Sequence, residues 1–302
     1  MNKSFNTTFL TLLALRAFLF VPAPVQAQTF YVSSGTQTIN KVSSTGTVSL
    51  FATLPAGSNP WGLALDSSLN LYVANANTSL ISKITPGGSV STFATLPAGS
   101  NPLGITFDTS GNLYVAHNGS PTNNTIDKIT PGGTITTFAT MASSFNPYSV
   151  AFDSSGNLYA GGNNGGSNLQ IVKITSGGVV SNFASSLPGA PNGLAFNTTG
   201  NLFVAYGNAT ISKITSGGSV STFATLPANN NPLGLAFDGS GNLYAADNTS
   251  GNISEITSGG AVSTFATGIT SPRFIVAIPA PEPGSAALAL LGGLGVLARR
   301  RR

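Results

Sequence analysis

The sequence predicts an all-β, six-bladed propeller of four-stranded blades, and three observations predict it. A phrase running Asn-Pro-Leu-Gly-Ile-Thr-Phe-Asp-Thr-Ser-Gly-Asn-Leu-Tyr-Val-Ala at 101–116 returns in recognisable form near 59, 146, 191 and 231. One turn position in it is held by Asp66, Asp108, Asp153, Asn197 and Asp238, a period of about 40 to 45 residues, which is the length of a four-stranded blade. The third observation lies at the ends: 30–32 read as a second strand with no first strand before them, and an orphan first strand stands at 272–277.

The unit at 102–147 shows why each element forms. Its first strand, 103–107, mixes Gly104 with Leu, Ile and Phe, as a strand crowded around an axis requires. The turn at 108–112 follows, where Asp108 bonds its own backbone and Gly111 takes positive φ. The second strand, 113–116, is apolar on both faces because blades stack on both faces. The third, 125–130, ends at Pro131-Gly132-Gly133, a type II turn sequence. The fourth, 134–139, alternates Thr with Ile and Phe, which suits a soluble outer edge. Five complete units and one split unit give six blades, the C-terminal strand pairing with the N-terminal partial blade to close the ring. An open ring would leave two blade faces wet, so loss of 272–278 is expected to destabilise the whole domain.

Composition narrows the chemistry. The 302 residues are 41% hydrophobic and only 7% charged, with no Cys, so disulfides, thiolate metal sites and cysteine nucleophiles are excluded. The formal charge of +4 comes from the ends, since Lys3, Arg16 and the run from Arg299 to Arg302 supply half of the basic residues. The middle is nearly neutral and has no basic stripe to release phosphate counterions, so no nucleic acid partner is expected.

The ends read as addresses. Residues 1–27 combine Lys3, an apolar stretch at 9–21 interrupted by Arg16, and Val25-Gln26-Ala27, the pattern of a signal peptide cut by signal peptidase after Ala27. Residues 28–278 form the propeller. Residues 279–302 carry Pro281-Glu282-Pro283, an apolar segment at 285–298, and Arg299, Arg300, Arg301 and Arg302. This tail resembles the PEP-CTERM sorting signal, and the resemblance implies processing by an exosortase in a Gram-negative-type envelope. As a helix the apolar segment would span about 21 Å, short of the ~30 Å hydrocarbon core, which suits transient anchoring in the inner membrane with the arginines on the cytoplasmic side. The expected destination is the cell surface or extracellular matrix.

The Pro-x-Gly-x-x-Phe-Asp and Gly-Asn-Leu-Tyr-Val-Ala phrases, spread over about 30–278, resemble NHL-type propeller repeats. They are more loosely similar to the propellers of streptogramin lyases and of the SMP-30/gluconolactonase family. The first likeness implies a His with a carboxylate nearby, which only His117 with Asp247 could imitate, on well-separated blades. The second implies a cluster of acidic and amide metal ligands.

The repeated acids read as turn caps, one per blade, rather than a metal ring. Lys41, Lys83, Lys128, Lys173 and Lys213, with Glu255 in the last blade, read as a solvated row whose stems cover apolar surface. The positions where the repeat breaks carry more information, because structural need is shared by all blades. After each Pro come Trp61, Leu103, Tyr148, Asn192, Leu233 and Arg273; after each second strand come Ser34, Asn75, His117, Gly162, Tyr206 and Asp247. Both sets are expected to line one mouth of the channel. Trp61, Tyr148, Asn192, Tyr206, His117, Asp247 and Arg273 are therefore the binding candidates, suited to stacking and hydrogen bonding with sugars or peptides. No Gly-x-Ser-x-Gly elbow in a strand-to-helix setting and no phosphate-cradling Gly loop is found. The sequence-level expectation is an exported, non-catalytic binding or structural module, with an exopolysaccharide or a protein as ligand and no cofactor or metal. The alternative is a lyase or lactonase-like enzyme using the irregular loop face.

Overall fold

The computed structural model describes residues 28–118, 124–164 and 168–279. The expected signal peptide at 1–27 and the expected sorting signal beyond 279 lie outside the described residues.

The chain opens with β1 (Thr29–Ser34), β2 (Thr38–Val42) and β3 (Val48–Thr53). Four strands follow as the first complete blade: β4 (Pro60–Leu65), β5 (Leu71–Asn75), β6 (Leu80–Ile84) and β7 (Val90–Thr95). The second blade is β8 (Pro102–Phe107), β9 (Leu113–His117), β10 (Thr125–Ile129) and β11 (Ile135–Thr140). The third is β12 (Phe145–Phe152), β13 (Leu158–Asn164), β14 (Leu169–Ile174) and β15 (Val180–Ser185). The fourth is β16 (Pro191–Phe196), β17 (Leu202–Tyr206), β18 (Thr210–Ile214) and β19 (Val220–Thr225). The fifth is β20 (Pro232–Phe237), β21 (Leu243–Asp247), β22 (Asn252–Ile256) and β23 (Val262–Ala266). The last strand, β24 (Pro272–Ile278), joins the opening three in the order β24-β1-β2-β3 and completes a sixth blade. The register runs from Thr29 opposite Ile278 to Ser34 opposite Pro272, with a bulge between. Six antiparallel four-stranded sheets result, and among the described residues no helix is long and apolar enough to cross a membrane.

Stacking of blades makes the core. Tyr31, Ile39, Ala52 and Leu54 of the sixth blade pack with Leu63, Leu71, Val73 and Ile84 of the first. On its other side the sixth blade puts Phe30, Val32, Val42 and Ile275 against Tyr244, Ala246, Ile253 and Ile269 of the fifth. Each buried Leu or Ile contributes roughly 1.5–3 kcal/mol, so closure removes two whole faces from water. Between blades an aromatic sandwich recurs: Tyr114 meets Phe138 and Phe152 edge-on at 4.8 and 5.0 Å, and Tyr72, Tyr159 and Phe203 do the same in their blades.

The innermost strands approach so closely that Gly is required. A Cβ on Gly62 would stand 2.2 Å from the Leu103 carbonyl oxygen, and one on Gly193 would stand 2.1 Å from that of Leu233. This is the physical content of the Pro-x-Gly phrase. Around the axis lies a cavity of about 490 Å³ ringed by one aliphatic side chain per blade: Leu63, Ile105, Val150, Leu194, Leu235 and Ile275.

The two ends of the ring differ. At the turn face, reached by the first-to-second and third-to-fourth strand turns, Asp108 Oδ1 accepts the N–H groups of Ser110 and Asn112 at 2.9 and 2.8 Å. Asp66, Asp153 and Asp238 make the same bonds. Desolvation pushes Asp66, Asp108 and Asp153 up, but hydrogen bonds from the Asn70, Asn112 and Asn157 side chains, together with these backbone bonds, outweigh it and hold the three carboxyls below their ordinary value. Lys83, Lys128 and Lys173 lie over the rings of Tyr72, Tyr114 and Tyr159 at 5.4 to 5.7 Å. The other end is the loop face, formed by the chain entering each first strand and leaving each second strand.

Candidate functional site

The loop face carries the positions that differ between blades, and the structure divides them into two sets. The residue after each Pro opens the first strand beside the axis. Trp61, Tyr148, Asn192 and Arg273 are half-buried there and present polar or aromatic surface to the mouth, whereas Leu103 and Leu233 turn inward and are 6% and 7% exposed. Trp61 and Arg273 are brought together: the guanidinium lies over the indole at 4.6 Å from the ring centre. Arg273 Nη1 donates to Asn59 Oδ1 and to the Pro60 carbonyl, the latter at 3.3 Å. Burial draws the guanidinium pKa down. Asn59 takes φ of 51°, a left-handed conformation that Asn tolerates, and its own Nδ2 donates to Asn77 Oδ1 at 3.0 Å.

Tyr148 belongs to a separate amide group. Asn163 Nδ2 donates to the Tyr148 hydroxyl, and Asn146 Nδ2 donates to Asn163 Oδ1 at 3.0 Å. Burial raises the phenol pKa, so Tyr148 stays protonated at neutral pH. Asn192 stands beside Gly207, where a Cβ would come within 3.4 Å of its amide nitrogen.

The second set does not line the mouth. Ser34, His117, Tyr206 and Asp247 are 0% exposed and Asn75 is 1% exposed. The reason is strand parity. His117 shares the face of Leu113 and Val115, which pack against the first blade, and Tyr206 shares the face of Leu202 and Val204, which pack against the third. Each side chain is thus drawn between blades, where it meets the third strand. His117 Nε2 lies 3.1 Å from Asp127 Oδ2. Asn75 donates to Ser82 at 2.8 Å. Asp247 Oδ2 accepts from Ser254 at 2.6 Å and Asn230 at 2.9 Å, while its Oδ1 has no partner. Burial pushes Asp247 up to about 7, against the pull of the Ser254 hydrogen bond. Burial also raises the Tyr206 phenol, with Ser212 opposing. The carboxylate beside His117 is therefore Asp127 of its own blade, and Asp247 is bound elsewhere.

Asp127, Asn59 and Asn163 were not among the sequence candidates. A signal existed for the first, because the third-strand position reads Asn40, Ser82, Asp127, Val172, Ser212 and Ser254 and so varies as much as its partner. Among the described residues no three His, Cys, Asp or Glu side chains converge. The donor set does not fit the acidic metal cluster implied by the gluconolactonase resemblance.

Residues 16–192 match the sequence profile of the virginiamycin B lyase family. No curated protein sequence matches the chain. Among solved structures, virginiamycin B lyase from Staphylococcus aureus is similar with a TM-score of 0.62 at 21% identity, over 82% of this chain and 84% of that one. A chain of the nidogen/laminin complex gives a TM-score of 0.71 at 18% identity, over 82% and 98%. A gluconolactonase from Xanthomonas campestris gives 0.62 at 16% identity, over 71% and 78%. At these identities the structural likenesses establish the six-bladed fold alone. The profile match goes further and overturns the expectation of a non-catalytic module, because the family it identifies is one of enzymes. The blade count, the turn chemistry and the extent of the match agree, and the chain belongs to the virginiamycin B lyase family.

Proposed function

We propose that this chain is an exported enzyme of the elimination type, working at the loop mouth where Trp61, Tyr148, Asn192 and Arg273 are presented. The observation that carries this reading is the contrast at the residue that follows the inner-strand Pro. Four blades place a stacking, amide, phenol or cationic group there, half-exposed on one face, in a family of lyases. An elimination takes a proton from carbon, which passes to solvent water at the open mouth, and gives one to the departing group; Tyr148 suits the second role, since it is protonated at neutral pH, its oxygen is fixed by Asn163 and solvent can restore its proton. Asn59, Asn146 and Asn192 supply neutral hydrogen bonds that orient a substrate without adding charge.

Virginiamycin B, quinupristin and gluconolactone, the compounds that similar structures are named for or hold, are the first substrates to test. Elimination keeps every atom of the substrate in its products, whereas hydrolysis adds a water, so product masses separate the two reactions. The expected result is an elimination product whose rate of formation falls about 100-fold in Tyr148→Phe. Absence of product from every substrate overturns the reading, and a product heavier by one water replaces it with hydrolysis.

The address belongs to the same proposal. The patterns at 1–27 and 279–302 support export, transient anchoring, exosortase processing and release to the cell surface or matrix. Mass spectrometry of the mature protein should find Gln28 at the start and no Arg302 at the end; a retained Arg302 overturns processing.

A further inference from the structure

The charges of the ring are distributed unevenly, and the imbalance isolates one of them. Asp66, Asp108, Asp153 and Asp238 cap turns on the turn face. The five lysines and Glu255 stand one residue before the end of their third strands, towards the same face. On the loop side, Asp127 and Asp247 are withdrawn between blades, 5% and 0% exposed, the first beside His117 and the second carrying a pKa near neutrality. Residues 119–123 and 165–167 contain no charged side chain. Arg273 is left as the one charge that the described residues present at the mouth.

That cation is half-buried and no carboxylate among the described residues pairs with it. Among the described residues Nη1 is engaged, with Asn59 and Pro60, and no partner is found there for Nη2 or Nε. Nη2 lies beside Gly35, where a Cβ would come within 3.6 Å of it and within 3.1 Å of the small Ser271 side chain. Stacking on Trp61 offsets only part of the cost of partial desolvation. It also fixes the plane of the guanidinium, so that the free edge is held as a two-pronged donor of the kind that fits a carboxylate.

We infer that the Trp61–Arg273 stack is an anion subsite of the mouth that grips the carboxylate of a uronate-bearing oligosaccharide. The surroundings favour a sugar over an acidic peptide. Besides the one cation, the half-buried side chains of this face include the amides of Asn59, Asn146, Asn163 and Asn192 and the phenol of Tyr148, matched to hydroxyl groups, while both leucines of the rim are buried. The inference rests on the reading of the loop mouth as the working site and names the class of ligand it takes.

Trp61 is the single Trp of the chain, so its emission reports this subsite directly. Titration of the full chain with trigalacturonate should give a saturable change in emission that is suppressed by salt. Trigalactose, without carboxylates, and triglutamate, without sugar, should bind about tenfold or more weakly. Arg273→Gln should weaken trigalacturonate binding at least about tenfold. If that variant melts early, Arg273→Lys, which keeps the charge and loses the fork, carries the same test with a smaller loss. Equal binding of trigalactose, equal binding of triglutamate, unchanged affinity in both Arg273 variants, or no response to trigalacturonate each overturns the inference. Binding without turnover leaves the subsite standing and counts against the enzymatic reading alone, while turnover of another substrate without trigalacturonate binding does the reverse.

Discussion

The turn face and the loop face are made by the same six blades, yet they obey opposite rules. On the turn face, Asp66, Asp108, Asp153 and Asp238 make the same pair of backbone bonds within 0.1 Å of one another. On the loop face, one equivalent position towards the end of the second strand is different in every blade: Ser34, Asn75, His117, Gly162, Tyr206 and Asp247. A β-turn that reverses the chain in four residues has few solutions, so every blade needs the same chemistry. The loop side imposes no such demand, and its residues are free to specialise.

Breaking the ring itself should have the largest effect. Removing 272–278 strips the sixth blade of its inner strand and exposes the packing with blades one and five; the cooperative thermal transition should be lost, and an unchanged melting temperature would show that closure is dispensable. Gly193→Ala attacks the shared rule of the axis. With a Cβ 2.1 Å from the Leu233 carbonyl oxygen, it should cost about 3 kcal/mol in denaturant unfolding, and a cost near zero would mean that the inner strands shift freely.

The two faces should also separate by pH. Asp247 is raised from 3.8 to about 7 in the folded chain, so the folded state holds its proton more tightly than the unfolded one. Its contribution is fully present below pH 3.8 and lost as pH rises through about 7, a change of at most about 4 kcal/mol that Asp247→Asn should abolish. Asp66, Asp108 and Asp153 have the opposite sign: their folded values lie below 3.8, so their contribution is present above that pH and lost as pH falls through the folded values. A stability profile of Asp247→Asn that still falls between pH 4 and 7 would assign that window to another group. The smallest effect is the most diagnostic of repetition. Asp108→Ala should cost about 1 kcal/mol, and Asp66→Ala and Asp153→Ala the same; unequal losses would show that the blades are not energetically equivalent.

Most of the fold could be read from the residues because its causes are local. The Asp-Ser-Gly-Asn turns, the Gly that admits a neighbouring backbone and the orphan strands at 30–32 and 272–277 each leave a mark in sequence. The candidate site was read only in part. Trp61, Tyr148, Asn192 and Arg273 keep half-buried surface at the loop end of the inner strands, since each follows the Pro that enters the strand beside the axis. His117, Tyr206 and Asp247 do not, because whether a strand's last side chain faces a loop or a neighbouring blade depends on parity with residues two and four before it. Counting back from His117 to Val115 and Leu113 would have placed it between blades. Asp127 escaped notice because it interrupts a Ser position inside a strand, and strand interiors were read for packing. The enzymatic character was carried only by the looser resemblance to streptogramin lyases and was set second to a binding role, for no catalytic motif is spelled out in contiguous residues.

The pairing of Thr29 with Ile278 means that the described ring begins and finishes at a single spot, on the side away from Trp61 and Arg273. A tether, label or fusion attached at either terminus of the ring starts from that one point and leaves the opposite opening uncovered. The same adjacency makes the disc a good subject for circular permutation: Gln28 and Pro279 joined by a short linker, and new termini cut between two outer strands, should restore the same six wedges without the borrowed strand.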